Sequence, residues 1–509
     1  MQRLHSPEQA AQWLRLNVLG NLLTDHRLVH ANDGFIAWPG AVHDARRFIP
    51  EALERGASAC IVEEEGLDTF DWTHTAAHNG RVASYAGLKS ACGSIAASFY
   101  AHPSASLNMV AITGTNGKTS SAWWLAHALE KLGQRAAFVG TLGMGRLGHL
   151  TATGMTTPDP VLLQSHLRVM VEEGVQACVM EASSIGMAEH RLDGTQLRVA
   201  LFTNFTQDHL DYHGDMARYW SAKEALFEWP GLQHAVINLD DPQGVVLANK
   251  LKAAGAVTVW TFSSTNVQEP VVAAHSGQSQ HVQASQVDFN AQGMHFQVAH
   301  GGHKARINSH LVGDYNVSNL TGVMTCLCAM GYPFTEVIRV CESLPSVPGR
   351  MELLGQSDQP LVVIDYAHTP DAVEKALQGL TPLAKRRGGA LVCVIGCGGD
   401  RDSSKRSQMA SAAERFSQHV VLTSDNPRSE DPQSILSEMA RGLQAPQSAH
   451  IEVDRATAIA MAVQQAQAAD VVLIAGKGHE TFQEILGVKY PFSDQWHAQQ
   501  ALNHRSLHV

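Results

Sequence analysis

Residues 111–120 read Ala-Ile-Thr-Gly-Thr-Asn-Gly-Lys-Thr-Ser, and this stretch constrains the fold more than any other part of the chain. Before it, Leu107–Thr113 is a short, mostly apolar run that reads as a buried strand. A glycine-rich turn follows (Gly114, Thr115, Asn116, Gly117), and Lys118, Thr119 and Ser120 open a helical pattern through Leu132. Strand, glycine turn and helix make the layout of a phosphate loop. Glycines let backbone N–H groups approach phosphate oxygens, and the helix N-terminus adds a favourable dipole. In that layout Lys118 reaches the β- and γ-phosphates and Thr119 ligates Mg²⁺. The long form of the motif places Gly five residues before Gly117; Ile112 stands there, so the match is to the shorter G-x-x-G-K-T form. An ordinary tight turn is the alternative reading.

The chain has 509 residues, too long for one core, and two to four domains are expected. Hydrophobic residues make up 44% and charged residues 17%, which fits an ordinary globular protein. The formal charge of −11 argues against a general nucleic-acid binder. No run of 18 apolar residues is present, so no membrane span is expected. The opening Met-Gln-Arg-Leu-His-Ser-Pro lacks the apolar core of a signal peptide, and the eight cysteines form no C-x-x-C pair. A cytoplasmic protein with free thiols is expected.

Three sections are visible. The first, 1–103, holds the strand-like Gly34–Trp38, a helix near Arg46–Arg55 and the strand Cys60–Glu63. The second, 104–347, opens on the phosphate loop and alternates apolar strands (Ala177–Met180, Val199–Thr203, Ala235–Asn238) with helices. From about Val257 to Leu311 short alternating segments with Gly and His turns suggest an antiparallel β insert or flank. The third, 348–509, predicts strands Leu361–Tyr366, Ala390–Ile395, His419–Thr423 and Asp470–Ala475, separated by helices Pro370–Lys385, Lys405–Phe416, Pro432–Leu443 and Ala456–Gln467. Such alternation implies an α/β protein with parallel sheets covered on both faces.

Polar clusters stand just past the C-terminal ends of these strands, where open α/β sheets bind ligands. They begin at Glu181, Thr203, Asp365, Gly396, Asp425 and Gly476. One such cluster reads as a loop or a helix cap; together they favour a composite site.

These clusters, in this order, resemble the Mur ligases, the ATP-dependent amide-forming enzymes of peptidoglycan precursor synthesis. The motifs carrying the resemblance are GTNGKTS (114–120), TTP (156–158), EASS (181–184), TNFTQDHLDYHG (203–214), AKEALF (222–227), GDYNVSN (313–319), PGRME (348–352), DYAHTP (365–370), DNPR (425–428) and GKGHE (476–480), and they span nearly the whole length. The resemblance implies three domains: a small N-terminal α/β domain binding the UDP substrate, a central phosphate-loop ATPase-like domain and a C-terminal Rossmann-like domain binding the incoming amino acid. It also implies a reaction in which ATP phosphorylates a carboxylate and an amine attacks the acyl phosphate, in a pathway serving cell-wall biogenesis, cell shape and division.

By the same resemblance Gly114–Ser120, Asn316, Arg350, Asp365 and His368 bind ATP, which lies between domains that close over it. Thr119 and Glu181 hold one Mg²⁺ and His209 a second. Lys223, alone an ordinary helical surface lysine, matches a lysine that CO₂ converts to a carbamate, whose carboxylate helps hold the second metal. Thr156, Thr157, Ser183 and Arg191 match contacts to a UDP-muramoyl dipeptide, UDP-MurNAc-L-Ala-D-Glu. Two departures fall in this group: His26 stands where relatives commonly have Ser, and Glu189 where they commonly have Gln. Lys118, Glu181, His209 and Lys223 form the expected catalytic set.

The acceptor is read from Asp425, Asn426, Pro427 and Arg428. Asn-Pro favours a turn, and Arg428 would then be solvated. The alternative is an amino-acid pocket. meso-Diaminopimelate has a carboxylate at its far end that L-lysine lacks, and a cation placed for it separates the two. Family members with Arg here resemble the diaminopimelate-adding type, and Arg401, Gly476 and Glu480 match the remaining contacts. Rival readings are a lysine-adding ligase, a folylpolyglutamate-synthase-like or other Mur amide ligase, a nucleotide switch that forms no amide, and a catalytically dead scaffold. A monomer with no nucleic-acid partner is expected.

Overall fold

The computed structural model describes residues 1–40, 43–70, 80–265, 280–290, 293–356 and 358–505. The chain forms two compact units, one mainly of Met1–Ser263 with Gly322–Val337, the other mainly of Val282–Thr321 with Ile338–Val509.

The first unit holds two sheets. The N-terminal sheet has five parallel strands in the order Gln2–Leu4, Val82–Tyr85, Ala59–Glu63, Gly34–Ala37, Leu22–Leu23. Helices Pro7–Asn17 and Leu88–Phe99 pack against it through Leu14, Ile61, Leu88 and Ile95. The first helix starts where Ser6 accepts the Gln9 N–H and Pro7 supplies a preset φ, a strong N-terminal signal that the sequence reading did not use. The helix expected at Arg46–Arg55 divides into a 3₁₀ turn, Ala45–Phe48, and an α-helix, Ile49–Glu54.

The second sheet of this unit runs Thr258–Ser263, His234–Asn238, Val199–Phe202, Asn108–Thr113, Ala177–Glu181, Ala136–Gly140, all parallel, and ends in the antiparallel strands Gly143–Arg146 and His149–Thr151. One expectation is corrected here. Thr258–Ser263 is not part of an antiparallel insert: it pairs in parallel with His234–Asn238. Its alternating Thr-Val-Trp-Thr-Phe-Ser pattern reports a half-buried strand but carries no strand direction. The later part of that stretch is antiparallel as expected. Strands His281–Asn290, Gly293–His300 and His303–Ser309 pair in hairpin fashion. Residues 266–279 and 291–292 of the expected insert lie outside the described residues.

The second unit is built on a six-stranded sheet, ordered Glu352–Leu354, Leu361–Asp365, Val471–Ala475, Leu391–Ile395, His419–Leu422, His450–Ile451. Only the first of these strands is antiparallel. The central strands are apolar throughout because both faces are covered. One face buries Leu377, Leu380, Ile395 and Leu473, and the other buries Ile364, Val394, Ile459 and Leu502. The expected elements recur within two or three residues, and the C-terminal helix Asp494–Arg505 and the hairpin Phe482–Ile485/Val488–Pro491 are additions. No described helix is long and apolar enough to cross a membrane.

Candidate active site

The phosphate loop leaves the middle of its sheet. Asn108–Thr113 lies between Ala177–Glu181 and Val199–Phe202, so the loop is flanked by the polar clusters that follow those two strands. Gly114 has φ +149°, and a Cβ there would overlap the Thr203 hydroxyl and crowd the Asn204 backbone. Glycine is required at this point on both counts. The loop is stitched to the Thr203 cluster: Thr115 N donates to Asn204 O at 2.8 Å, and Asn116 N donates to Asn204 Oδ1 at 2.9 Å. Helix Lys118–Lys131 begins at Gly117 (φ +83°) with no side-chain cap. That leaves an N-terminus with the dipole and N–H supply of an anion site. Lys118 Nζ donates to Gly114 O and Thr115 O at 3.0 and 2.9 Å, folded over the loop it would serve.

Thr119 Oγ1 donates to Glu181 Oε2 at 2.9 Å, and Thr141 N donates to Glu181 Oε1 at 2.8 Å. Thr119 and Glu181 thus present two adjacent hard oxygens. Among the described residues no group of three or more His, Cys, Asp or Glu could hold a metal by itself. The pair fits Mg²⁺, which is bound by one or two protein oxygens with substrate phosphates and water completing the octahedron.

Lys223 comes from helix Met216–Glu224 and is 1% exposed, not the surface residue its helix suggested. Its Nζ donates to Gly114 O at 2.7 Å and lies 4.5 Å from the centre of the Tyr219 ring. Burial, then the Lys118 charge, pull this amine well below the usual lysine range, with Asp208 opposing. His209 precedes the short helix Leu210–His213 in a left-handed conformation (φ +52°), its ring 6.2 Å from Tyr219. Tyr219 therefore meets both residues, and its hydroxyl lies 3.1 Å from Thr115 Oγ1.

Thr156, Thr157, Ser183 and Arg191 form one network. Thr156 Oγ1 lies 3.1 Å from Thr141 Oγ1, Thr157 Oγ1 donates to Glu181 O at 2.8 Å, and Ser183 N donates to Thr157 Oγ1 at 3.0 Å. Arg191 Nη1 donates to Thr157 O at 3.0 Å, and no carboxylate of the described residues pairs with its guanidinium. Glu189 accepts from the Tyr212 hydroxyl and pairs with Lys89 at 2.8 Å. Partial burial opposes ionisation, but these two partners hold its carboxyl below the usual range. His26 is held within its own domain, stacked on Phe48 at 4.0 Å and 3.4 Å from Glu51. None of these contacts joins it to Thr157, Ser183 or Arg191.

In the second unit the PGRME, DYAHTP and GKGHE segments converge. Gly349 (φ +64°) has no room for a Cβ against Gly478 and His479. The Arg350 guanidinium lies 4.5 Å above the Tyr366 ring, and its Nε is buried with no hydrogen-bond partner among the described residues. Asp365 accepts from the Met351 and Ala367 N–H groups at 2.8 and 2.9 Å. Burial holds its carboxyl above the usual range, while Arg350 and the two N–H donors pull the other way. His368 is exposed, its Nδ1 2.7 Å from Tyr366 O. Asn316, in helix Asp314–Ala329, donates to Val312 O at 2.7 Å.

At the ends of neighbouring strands stand Asp425, Asn426, Pro427, Arg428, Gly476 and Glu480. Arg428 is not a solvated turn residue. Its backbone is left-handed (φ +51°), its N–H donates to Glu484 O at 3.0 Å, and its O accepts from Leu486 N at 2.7 Å. Its Nη1 donates to Gly399 O at 2.6 Å, with Glu484 3.7 Å from Nε. A non-glycine residue in this region costs about 1 kcal/mol or more, and the paired hairpin residues hold it there. Glu480 accepts from Asn426 Nδ2 at 2.9 Å and from Lys477 Nζ at 3.0 Å. A Cβ on Gly476 would meet Asp425 Oδ2 at 2.6 Å. Arg401 is exposed, and a Cβ on Gly398 would meet both its stem and Arg428 Nη1.

Sequence reasoning missed Thr141, Asn204, Tyr219 and Lys477. Lys477 is fully buried against Asn426, Asp425 and Glu480. Its place inside the GKGHE segment was the available signal.

Residues 112–327 match the Mur ligase middle domain, and residues 349–478 match the Mur ligase glutamate ligase domain. A UDP-N-acetylmuramoyl-L-alanyl-D-glutamate–2,6-diaminopimelate ligase of Acidovorax sp. (strain JS42) is 50% identical over 505 residues, 98% of this chain and 97% of that protein. A protein of the same description from Janthinobacterium sp. (strain Marseille) is 46% identical over 97% of this chain and 96% of its own length. A solved structure of such a ligase superposes with a TM-score of 0.66 at 32% identity, covering 96% of this chain and 95% of the other. The three α/β domains correspond to the N-terminal, middle and C-terminal domains of that architecture, and the chain belongs to the Mur ligase family.

Proposed function

We infer that the chain is an ATP-dependent ligase that adds meso-2,6-diaminopimelate to the D-Glu γ-carboxylate of UDP-MurNAc-L-Ala-D-Glu in peptidoglycan precursor synthesis. The observation that carries it is the 50% identity, over 98% of the chain, to a ligase of that description. Arg428, held in a left-handed conformation with its guanidinium on Gly399, supports diaminopimelate over L-lysine. A folylpolyglutamate-synthase-like activity would leave Arg428, Arg401 and Glu480 without a substrate.

A γ-carboxylate oxygen attacks the γ-phosphorus of ATP, the bond to ADP breaks, and an acyl phosphate forms. The diaminopimelate amine then attacks the acyl carbon, phosphate leaves, and the nitrogen gives up a proton. Gly114–Ser120 cradle the phosphates, with Lys118 over the β- and γ-groups. Asn316, Arg350, Asp365 and His368 bind the remainder of the nucleotide. Thr119 and Glu181 would hold one Mg²⁺, and His209 with a carbamate on Lys223 a second; the metals would offset negative charge as phosphate and carboxylate approach. Burial of Lys223 without an ion-pair partner among the described residues supports the carbamate, since CO₂ reacts with a neutral amine. Thr156, Thr157, Ser183, Glu189, Arg191 and His26 contact the UDP-muramoyl dipeptide. Asp425–Arg428, Arg401, Gly476 and Glu480 contact diaminopimelate. We assign 1–103 to UDP-substrate binding, 104–347 to ATP binding and 348–509 to the amino acid, in a cytoplasmic monomer.

The test is incubation with ATP, Mg²⁺, UDP-MurNAc-L-Ala-D-Glu and meso-diaminopimelate, followed by mass spectrometry. A UDP product heavier by one diaminopimelate residue, formed one-for-one with ADP, is expected. ADP formation with no heavier product would overturn the reading.

A further inference from the structure

We propose that the buried ion pair Arg455–Asp494 is a positioning device for the acceptor amino acid, fixing the spacing of the two loops that carry Asp425–Arg428 and Gly476–Glu480. The proposal rests on the assignment of those loops to diaminopimelate. Arg455 opens helix Arg455–Gln465, and Asp494 opens helix Asp494–Arg505. Both side chains have no exposure to solvent. Arg455 Nε and Nη2 donate to the two Asp494 carboxylate oxygens, each at 2.7 Å. The same guanidinium donates through Nη1 to Ser424 O at 3.2 Å and through Nη2 to Ala475 O at 3.0 Å. Ser424 and Ala475 are the residues immediately before Asp425 and Gly476.

The sheet order makes this contact consequential. Strands His419–Leu422 and Val471–Ala475 are not adjacent, because Leu391–Ile395 lies between them. No ladder hydrogen bond sets the distance between the two loops. Arg455 spans the gap past the end of the intervening strand, and Asp494 fixes the plane of the guanidinium. An apolar pair of similar volume would fill the space, and such replacements of buried ion pairs are often neutral for stability. It would leave the two carbonyls without their donor, and the loops would be tied through the side-chain contacts of Lys477 and Glu480 with Asn426, which hold the tips and not the bases. A lysine ammonium has three donors and no fork geometry, so it cannot serve four acceptors in this arrangement.

The experiment uses the full chain with Arg455→Lys, Asp494→Asn and the double variant Arg455→Met/Asp494→Leu, measuring kcat, the KM of each substrate and Tm. Arg428→Ala is measured in parallel. The KM for meso-diaminopimelate rises on the order of tenfold or more, while those for ATP and the UDP substrate stay within about twofold, as expected for a misplaced acceptor site. An unchanged KM for diaminopimelate in folded variants, an equal rise for all three substrates, or loss of folding in all three variants overturns the proposal. If Arg428→Ala leaves that KM unchanged, the assignment of the loops fails by itself. If only Arg428→Ala raises it, the assignment stands and the positioning role falls.

Discussion

Gly114 and Lys223 meet at one atom: the Gly114 carbonyl accepts from the buried amine at 2.7 Å. Each has a separable consequence. Gly114→Ala puts a Cβ into the Thr203 hydroxyl at a φ of +149°, so it is expected to cost about 2–4 kcal/mol of stability and to abolish ATP binding. Chemical denaturation and nucleotide titration check both; a folded variant with parental ATP affinity would contradict the role of the turn. Lys223→Ala is expected to lower kcat by two or more orders of magnitude, on the order of losing a group that acts at the reacting centre, with partial return on adding short-chain carboxylates. No return at any carboxylate concentration would sink the carbamate. At this scale the sequence was legible where a motif is local, as in Gly114–Ser120. It was not legible where partners lie far apart. Lys89 and Glu189 are separated by a hundred positions, and nothing in either neighbourhood announces the pair. Arg428 was legible as a cation, but its left-handed backbone depends on a hairpin almost sixty residues later.

The helix Lys118–Lys131 has no side-chain N-cap, whereas Asp159, Asp215, Asp241, Thr369 and Asp454 cap theirs. A helix start that no cap side chain covers, placed directly after a glycine turn at a strand end, suits an anion. MgADP at about a hundred times its Kd is therefore expected to stabilise the protein by about 2.7 kcal/mol, a rise of a few degrees in Tm, and Lys118→Ala is expected to remove most of it. A parental shift in that variant would move nucleotide binding elsewhere. Most α/β elements were readable from apolar runs and helical periodicity, because buried parallel strands are nearly all Val, Ile, Leu and Ala. The hairpin Phe482–Pro491 was missed: its outer residues Val488 and Tyr490 are exposed, so it shows no inward face. The direction of Thr258–Ser263 was misjudged because alternation is the same for both directions.

For the molecule as a whole, the polar clusters stand at strand ends as the alternation implied, since a parallel sheet directs all its C-termini to one edge. What sequence could not supply was the order of strands, and with it the gap that Arg455 spans. Chelation of divalent metal is expected to stop ATP-dependent amide formation, with activity returning on addition of Mg²⁺; turnover unaffected by chelator would remove Thr119 and Glu181 from a metal role. The most direct test of the central claim is the ratio of kcat/KM for meso-diaminopimelate to that for L-lysine, in the parent and in Arg428→Ala. The account predicts a parental ratio on the order of a hundred or more, as for a site built around a charged group that the competitor lacks, and its collapse towards unity in the variant. Efficient use of L-lysine by the parent, or a ratio unchanged by Arg428→Ala, would contradict it.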